Sequence, residues 1–130
     1  MNIQELCERY SNGERNFCGV ELMSADLSGV CLAGADLSRA NLALVNFSQA
    51  DLRWVRLRGA KLEGANLTSA NLHRGNLVQA KLIGANLEGA DLRAVDLTGA
   101  VVTGANFNYA DTWGMLMPNG TTASSITQPL

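Results

Sequence analysis

The sequence has few of the residue types from which catalytic, metal-binding and disulfide sites are built. Its 130 residues include three cysteines, one histidine and two prolines, and aromatic residues make up 5% of the composition. Cys7, Cys18 and Cys31 are odd in number and lack CxxC spacing, which argues against a disulfide framework and against a zinc site. The single histidine, His73, has no nucleophile at an obvious relay position. We therefore expect no enzymatic activity, no cofactor and no metal.

The chain also lacks an excess of one charge and any long apolar run. Twelve acidic and ten basic residues leave a formal net charge of −2 at pH 7, which argues against a nucleic-acid partner. No stretch approaches the roughly 18 apolar residues of a membrane span, and Met1–Tyr10 carries charges where a secretion signal would be apolar. Unpaired thiols suit a reducing compartment. These features predict a cytoplasmic protein of one domain that does not enter a membrane.

What the sequence does contain is one five-residue pattern, repeated from Phe17 to Phe107. Every fifth residue in this range is large and apolar: fifteen are leucine, three are phenylalanine and one is Val102. The positions two residues earlier in each unit, from Val20 to Ala110, hold thirteen alanines, five valines and one glycine. Each unit therefore has the order small, polar, leucine, polar, variable.

This period excludes a long amphipathic helix, because a turn of about 100° per residue would spread the leucines around the helix. In an extended chain the small residue and the leucine share one face, but the next small residue lies on the other. Only a bend in every unit keeps both inside. Glycine recurs at the last position of many units, where a type II turn requires positive φ. If each bend is near a right angle, four units close a square coil, and about five coils stack to a height of about 24 Å.

Runs such as Ala35-Asp36-Leu37-Ser38 and Ala65-Asn66-Leu67-Thr68 resemble the pentapeptide-repeat proteins, whose consensus is Ala-(Asp/Asn)-Leu-x-x. The resemblance covers residues 15–117. It implies an all-β fold, a right-handed quadrilateral β-helix. The flanking segments, Gly13–Phe17 before the repeats and Met117–Gly120 after them, resemble those of cyanobacterial members.

The two ends of the chain depart from the repeat, which gives three predicted segments. Residues 1–14 form a capping helix and turn, residues 15–117 the β-helix, and residues 118–130 a turn and a mobile tail. The helix is expected over Asn2–Tyr10 because an apolar stripe follows the i, i+3, i+4, i+7 spacing and can cover the first coil. The stripe consists of Ile3, Leu6, Cys7 and Tyr10.

Residues twenty apart are expected to stack, which predicts columns of side chains on each outer face. One column of acids and amides could form a hydrogen-bonded ladder: Asp26, Asn46, Asn66, Asn86 and Asn106. A second surface is a strip with few polar residues, formed by Met23, Leu44, Ile83 and Val101. Lys61, Lys81 and Glu63 lie beside this strip and are expected to keep it soluble.

A third surface combines guanidinium, imidazole and indole groups and is the candidate protein-binding patch. It consists of Arg53, Trp54, His73, Arg74 and Arg93. Arginine and tryptophan are the side chains enriched at the centres of protein interfaces. The same face carries Asp51 and Asp91, so the alternative is a solvated, internally paired face on which Arg74 stacks on Trp54.

These features favour a non-catalytic protein–protein interaction or scaffold module, and a monomer rather than a dimer. The alternative function is implied by the resemblance, since some pentapeptide-repeat proteins imitate DNA and bind type II topoisomerases. That role requires a long, dimeric and strongly acidic rod. Residues 15–117 carry nine acidic and nine basic side chains, which disfavours it.

Overall fold

The computed structural model describes residues 1–123 and contains one helix and a stack of β-bridges. The helix, α1, spans Ile3–Ser11. From residue 16 to residue 116, one residue in every five forms an isolated parallel bridge to the residue twenty positions away, as Asn66 does with Asn46 and Asn86. Within residues 1–123, no strand is longer than such a bridge. The chain therefore coils with four five-residue units per turn, as the sequence predicts.

A tight turn follows each core residue and makes the corner of the coil. At the corner formed by residues 22–25, the N–H of Ala25 donates to the carbonyl of Leu22 at 3.0 Å and closes a four-residue turn. Ser24, the third residue of that turn, has a φ of 63°, as a type II turn requires. Glycine occupies many equivalent positions, but ten corners hold other residues, including Leu44 and Trp54.

The interior is a single column of apolar side chains. Every leucine and phenylalanine at the core position from Phe17 to Phe107 is buried, with alanine and valine packed between them. At Gly75, an added Cβ would lie 2.9 Å from the Leu72 carbonyl oxygen and 3.3 Å from the Leu77 side chain, which explains the one glycine among the small inward residues. Each buried leucine stabilises the fold by about 1.5–3 kcal/mol, and each coil packs mainly on its neighbours.

Helix α1 covers the first coil, with a shorter apolar contact than the sequence pattern predicts. Asn2 caps the helix, since its Oδ1 accepts a backbone N–H of the first turn at 2.8 Å. Leu6 is fully buried, and the Tyr10 hydroxyl donates to the Ala33 carbonyl at 2.7 Å. Ile3, which the predicted stripe included, is 37% exposed. The contact is centred on the second half of the helix, where Tyr10 is anchored.

The last described residues fold back on the final coil. After a turn at residues 118–120, Thr122 forms an antiparallel bridge with Leu116, and the Ala123 N–H donates to the Met115 carbonyl at 2.7 Å. The sequence predicts a turn and a mobile tail over residues 118–130. Residues 121–123 instead fold back along the final coil through the single bridge at Thr122, and residues 124–130 lie outside the described residues.

Replacement of Leu67 by Asp is expected to abolish folding, because the side chain is fully buried and an unpaired carboxylate there would cost several kcal/mol. The matched control is Asn66→Asp, which places the same charge one residue earlier, on the outer surface. Its oxygen would still accept the Thr68 N–H, so we expect a change of no more than about 0.5 kcal/mol. Thermal melts followed by circular dichroism compare the two variants. Equal melting temperatures would mean that the inward and outward positions are wrongly assigned.

Deletion of residues 1–11 removes α1 and is expected to lower stability or to cause association through the uncovered coil. The physical reason is that Phe17 and Leu22 would lose their cover while the edge of the first coil would expose unpaired backbone groups. Thermal melts and light scattering measure both effects. A truncated protein that remains a monomer with the melting temperature of the full chain would exclude a capping role for the helix.

Candidate functional site

In units whose first polar residue is aspartate or asparagine, that side chain fixes the outer face through a local hydrogen bond. Its side-chain oxygen accepts the backbone N–H two residues later, as in Asn66 with Thr68 at 3.0 Å and Asn71 with His73 at 3.1 Å. These bonds occupy one acceptor site of each oxygen that the predicted amide ladder would also use. Among the described residues of that column, one amide–amide bond joins two coils, from Asn106 to Asn86 at 3.3 Å. The predicted ladder is therefore wrong for most of its length.

The five residues of the candidate patch lie together on adjacent coils. The backbone N–H of Trp54 donates to the carbonyl of His73, and that of Arg74 donates to the carbonyl of Arg93, each at 3.0 Å. The patch spans one face and its corner. The side chains of Arg53, Trp54, Arg74 and Arg93 are exposed, and His73 is half-buried.

Two arginines of the patch are neutralised by aspartates of the same units. Arg53 donates to both carboxylate oxygens of Asp51 at 2.8 Å, and Arg93 donates to those of Asp91 at 2.9 and 2.6 Å. Arg93 also lies 3.9 Å from Asp111. The hydrogen bond from Arg53 is the largest influence that lowers the pKa of Asp51, and the bond from Arg93 has the same effect on the pKa of Asp91. This half of the patch matches the internally paired alternative.

The other half of the patch is an exposed indole beneath a guanidinium group. Trp54 is 57% exposed, and the Arg74 Cζ lies 5.0 Å from the centre of its ring, within the range of a cation–π contact. Both residues occupy left-handed corners, with φ of 62°. In the same corner column the neighbouring coils carry Gly34 and Ala94. The turn therefore does not require a tryptophan, and the indole is available for contact.

A further group of basic residues lies together in the structure, although the sequence pattern alone did not identify them as one surface. Arg39, Arg56, Arg58, Lys61 and Lys81 are exposed, and no ion pair within 4.0 Å joins any of them to an acid of residues 1–123. The period of twenty could have placed them together, because they lie on two successive faces. From the sequence, Lys61 and Lys81 are expected only to keep the apolar strip soluble.

Apart from Met1, Ile3 and Trp54, the large exposed apolar side chains of residues 1–123 lie in two places. Met23, Leu44, Ile83 and Val101 are exposed along the predicted strip. Leu44 leans over the next coil, where an added Cβ on Gly64 would lie 2.7 Å from its Cδ2. Tyr109 and Trp113, at outward positions of the last coil, are also exposed, and the sequence analysis overlooked them although the period places both outside.

Two cysteines lie beside acidic residues, among them Cys31, whose Sγ donates to the Asp51 Oδ2 at 3.8 Å. No group of three or more histidine, cysteine, aspartate or glutamate side chains among residues 1–123 could hold a metal ion. Cys18 is half-buried, and burial is the main cause that raises the pKa of its thiol, which makes it a weaker nucleophile. Over the same residues, no helix has the length and apolar character needed to cross a membrane.

Comparisons with known proteins place the chain in a family. The model of the pentapeptide repeats matches with eight copies over residues 21–59, 46–82 and 85–111. The structure of the pentapeptide repeat protein Rfr23 from the cyanobacterium Cyanothece 51142 is 28% identical over 87% of this chain and 93% of that chain, with a TM-score of 0.69.

Two further solved structures are similar. A pentapeptide repeat protein from Nostoc PCC 7120 is 30% identical over 95% of this chain and 88% of that chain, with a TM-score of 0.41. One from the Arabidopsis thaliana thylakoid lumen is 31% identical over 73% of this chain and 63% of that chain, with a TM-score of 0.49. A comparison with curated protein sequences finds no match. The repeat, the twenty-residue bridges, the match to the family model and the similarity to Rfr23 together establish that the chain belongs to the pentapeptide-repeat family, whose members fold as right-handed quadrilateral β-helices.

Proposed function

We propose that this protein is a non-catalytic interaction module in which a stack of about five coils presents fixed side chains to another protein. The observation that carries the proposal is Trp54. Its indole is exposed although neither the core nor the turn needs it. A left-handed conformation costs a residue other than glycine about 1–2 kcal/mol, and exposure of the ring forgoes the gain from burying it. Contact with a partner would offset both costs.

Arg74 completes the proposed contact. Its guanidinium covers part of the Trp54 ring and, unlike Arg53 and Arg93, forms no ion pair within 4.0 Å in residues 1–123. Arginine and tryptophan side by side can bury apolar area and still donate several hydrogen bonds to a carboxylate or a carbonyl of the partner. Because the coils are held by backbone bonds, these two side chains are positioned before binding, which lowers the entropy lost on association.

A cytoplasmic location and a monomeric state remain part of the proposal. The alternative, a DNA-mimicking protein that binds a topoisomerase, gains no support from the surface. Among the charges of residues 36–88 that form no ion pair within 4.0 Å, cations outnumber acids, whereas imitation of DNA needs an extended negative surface. No observation on the described residues favours that function over an interaction module of another kind.

The double substitution Trp54→Gly with Arg74→Gln should separate binding from folding. Glycine relieves the left-handed backbone at residue 54, so we expect a free energy of unfolding within about 1 kcal/mol of the parent. A partner that uses this pair should bind more weakly by about 2 kcal/mol or more. Affinity purification from an extract of the source organism, followed by mass spectrometry and by titration of the captured protein, measures the loss.

Gln79→Gly is the matched control, because Gln79 also occupies a left-handed corner, with φ of 60°, in another column. This variant should retain every partner of the parent protein. If the Trp54 and Arg74 variant also retains them all, these two side chains contact only each other and take no part in binding a partner. The proposed interaction site would then be wrong even if the protein has partners elsewhere.

A further inference from the structure

Five unpaired cations form one continuous corner of the β-helix, which we call the basic corner. It consists of Arg39, Arg56, Arg58, Lys61 and Lys81. The backbone N–H of Arg39 donates to the carbonyl of Arg58 at 2.9 Å, so these two residues lie on adjacent coils. Lys61 and Lys81 are bridge partners, and their side chains leave the backbone about 4.8 Å apart, the spacing of neighbouring strands. Like charges at that spacing repel each other.

The nearby acids neutralise this corner only in part: burial opposes ionisation of Asp36, and the hydrogen bonds from Ser38 together with the charge of Arg56 lower its pKa. Asp36 is the bridge partner of Arg56, but its Oδ1 accepts the Ser38 N–H at 3.0 Å and no ion pair with Arg56 forms within 4.0 Å. The Oε1 of Glu63 is buried and has no hydrogen-bond donor in the described residues. Counted over the two faces that carry this corner, the five cations oppose four acids, Glu21, Asp36, Glu63 and Asp96, which leaves a local charge of +1 on a chain whose net charge is −2.

Apolar side chains border the two lysines on the same face. Leu44 is 61% exposed and Ile83 is 46% exposed. Both flank Glu63, since Leu44 donates its N–H to the Glu63 carbonyl at 2.9 Å and Gly64 donates to the carbonyl of Ile83 at the same distance. The surface thus offers unpaired ammonium groups directly beside aliphatic groups that gain by leaving water.

We propose that the basic corner, together with Leu44 and Ile83, is a second interaction surface that binds an acidic segment of a partner protein. The segment would place carboxylates against Lys61, Lys81 and the neighbouring arginines, and an apolar side chain against Leu44 or Ile83. Each new ion pair would also relieve the repulsion between the stacked lysines. This surface lies on the two faces that follow the Trp54 face along the chain, so it does not depend on the interaction proposed there.

A protein segment fits this surface better than a nucleic acid does. Single-stranded nucleic acids are held by exposed aromatic rings on which bases stack, together with a basic groove. The two faces that carry the basic corner expose no aromatic side chain within residues 1–123, since the aromatic residue there, Phe17, is buried. Their exposed apolar groups are aliphatic.

Selection from a random 12-residue peptide library displayed on phage tests the proposal on the full chain. The expected result is enrichment of peptides that combine aspartate or glutamate with leucine, isoleucine or phenylalanine. Binding of a selected peptide, synthesised and labelled, should weaken on the order of tenfold in Lys61→Gln with Lys81→Gln, because each exposed ion pair contributes up to about fivefold. The melting temperature of that variant should be unchanged or raised, because the repulsion between the lysines is removed.

Three matched variants define the controls. Arg53→Gln with Arg93→Gln removes the same amount of charge from arginines that are already paired, and it should leave peptide binding unchanged. Lys61→Arg with Lys81→Arg should retain binding, and Glu63→Gln should strengthen it by removing a repelling carboxylate. Enriched peptides without acidic residues, or equal binding to the Lys61→Gln with Lys81→Gln variant, would overturn the proposal. Tighter binding of a 12-nucleotide oligothymidine than of the selected peptides, lost in the same variant, would also overturn it.

Discussion

The structure depends on one constraint, the backbone register that joins each coil to the coils twenty residues before and after it. Leu67 donates its N–H to the carbonyl of Asn86 at 2.7 Å, and Asn66 donates to the carbonyl of Val45 at 2.9 Å. The same two bonds recur in every unit of the stack. They can form only if four units contain twenty residues, so the five-residue period cannot gain or lose a residue. A single insertion would misalign these bonds and turn the leucines away from the core.

The corners of the coil influence which side chains the outer surface can carry. Each unit ends in a left-handed residue, which favours glycine, yet long side chains such as Arg39, Leu44 and Gln79 occupy several corners. In the next coil the same corner is glycine, and an added Cβ there would meet the leaning side chain at 3.5, 2.7 and 3.2 Å respectively. At these three corners the glycine leaves room for the large side chain of the coil below. Trp54 is different, because the corner above it holds Arg74 rather than a glycine, and the Arg74 guanidinium group lies over the indole ring.

Structural features that depend on periodic interactions could be predicted from the sequence, and features that depend on single contacts could not. The burial of Leu67, the corners and the coil of four units were predicted correctly, because each depends on a residue type repeated at fixed spacing. The exposure of Ile3 and the fold-back of residues 121–123 were not, because both depend on single contacts at an end of the stack. The amide ladder failed for another reason. The bond within the unit forms at every position of the column because its donor lies two residues away in the chain. An amide–amide bond between coils of this column forms once within residues 1–123, at Asn86, whose Oδ1 accepts both bonds.

The same local bond decides which cations of the surface remain free. A side-chain oxygen at the first polar position accepts the N–H two residues later, so it also lies close to any donor on that later side chain. Where the unit contains Asp-Leu-Arg, as at residues 51–53 and 91–93, the arginine is paired with its own aspartate. Where it contains Arg56-Leu57-Arg58, no carboxylate is available within the unit, and both guanidinium groups stay unpaired. Arginine content alone is therefore a poor guide to the binding surfaces of such a protein. The residue two places earlier determines whether an arginine can meet a partner with its charge still unpaired.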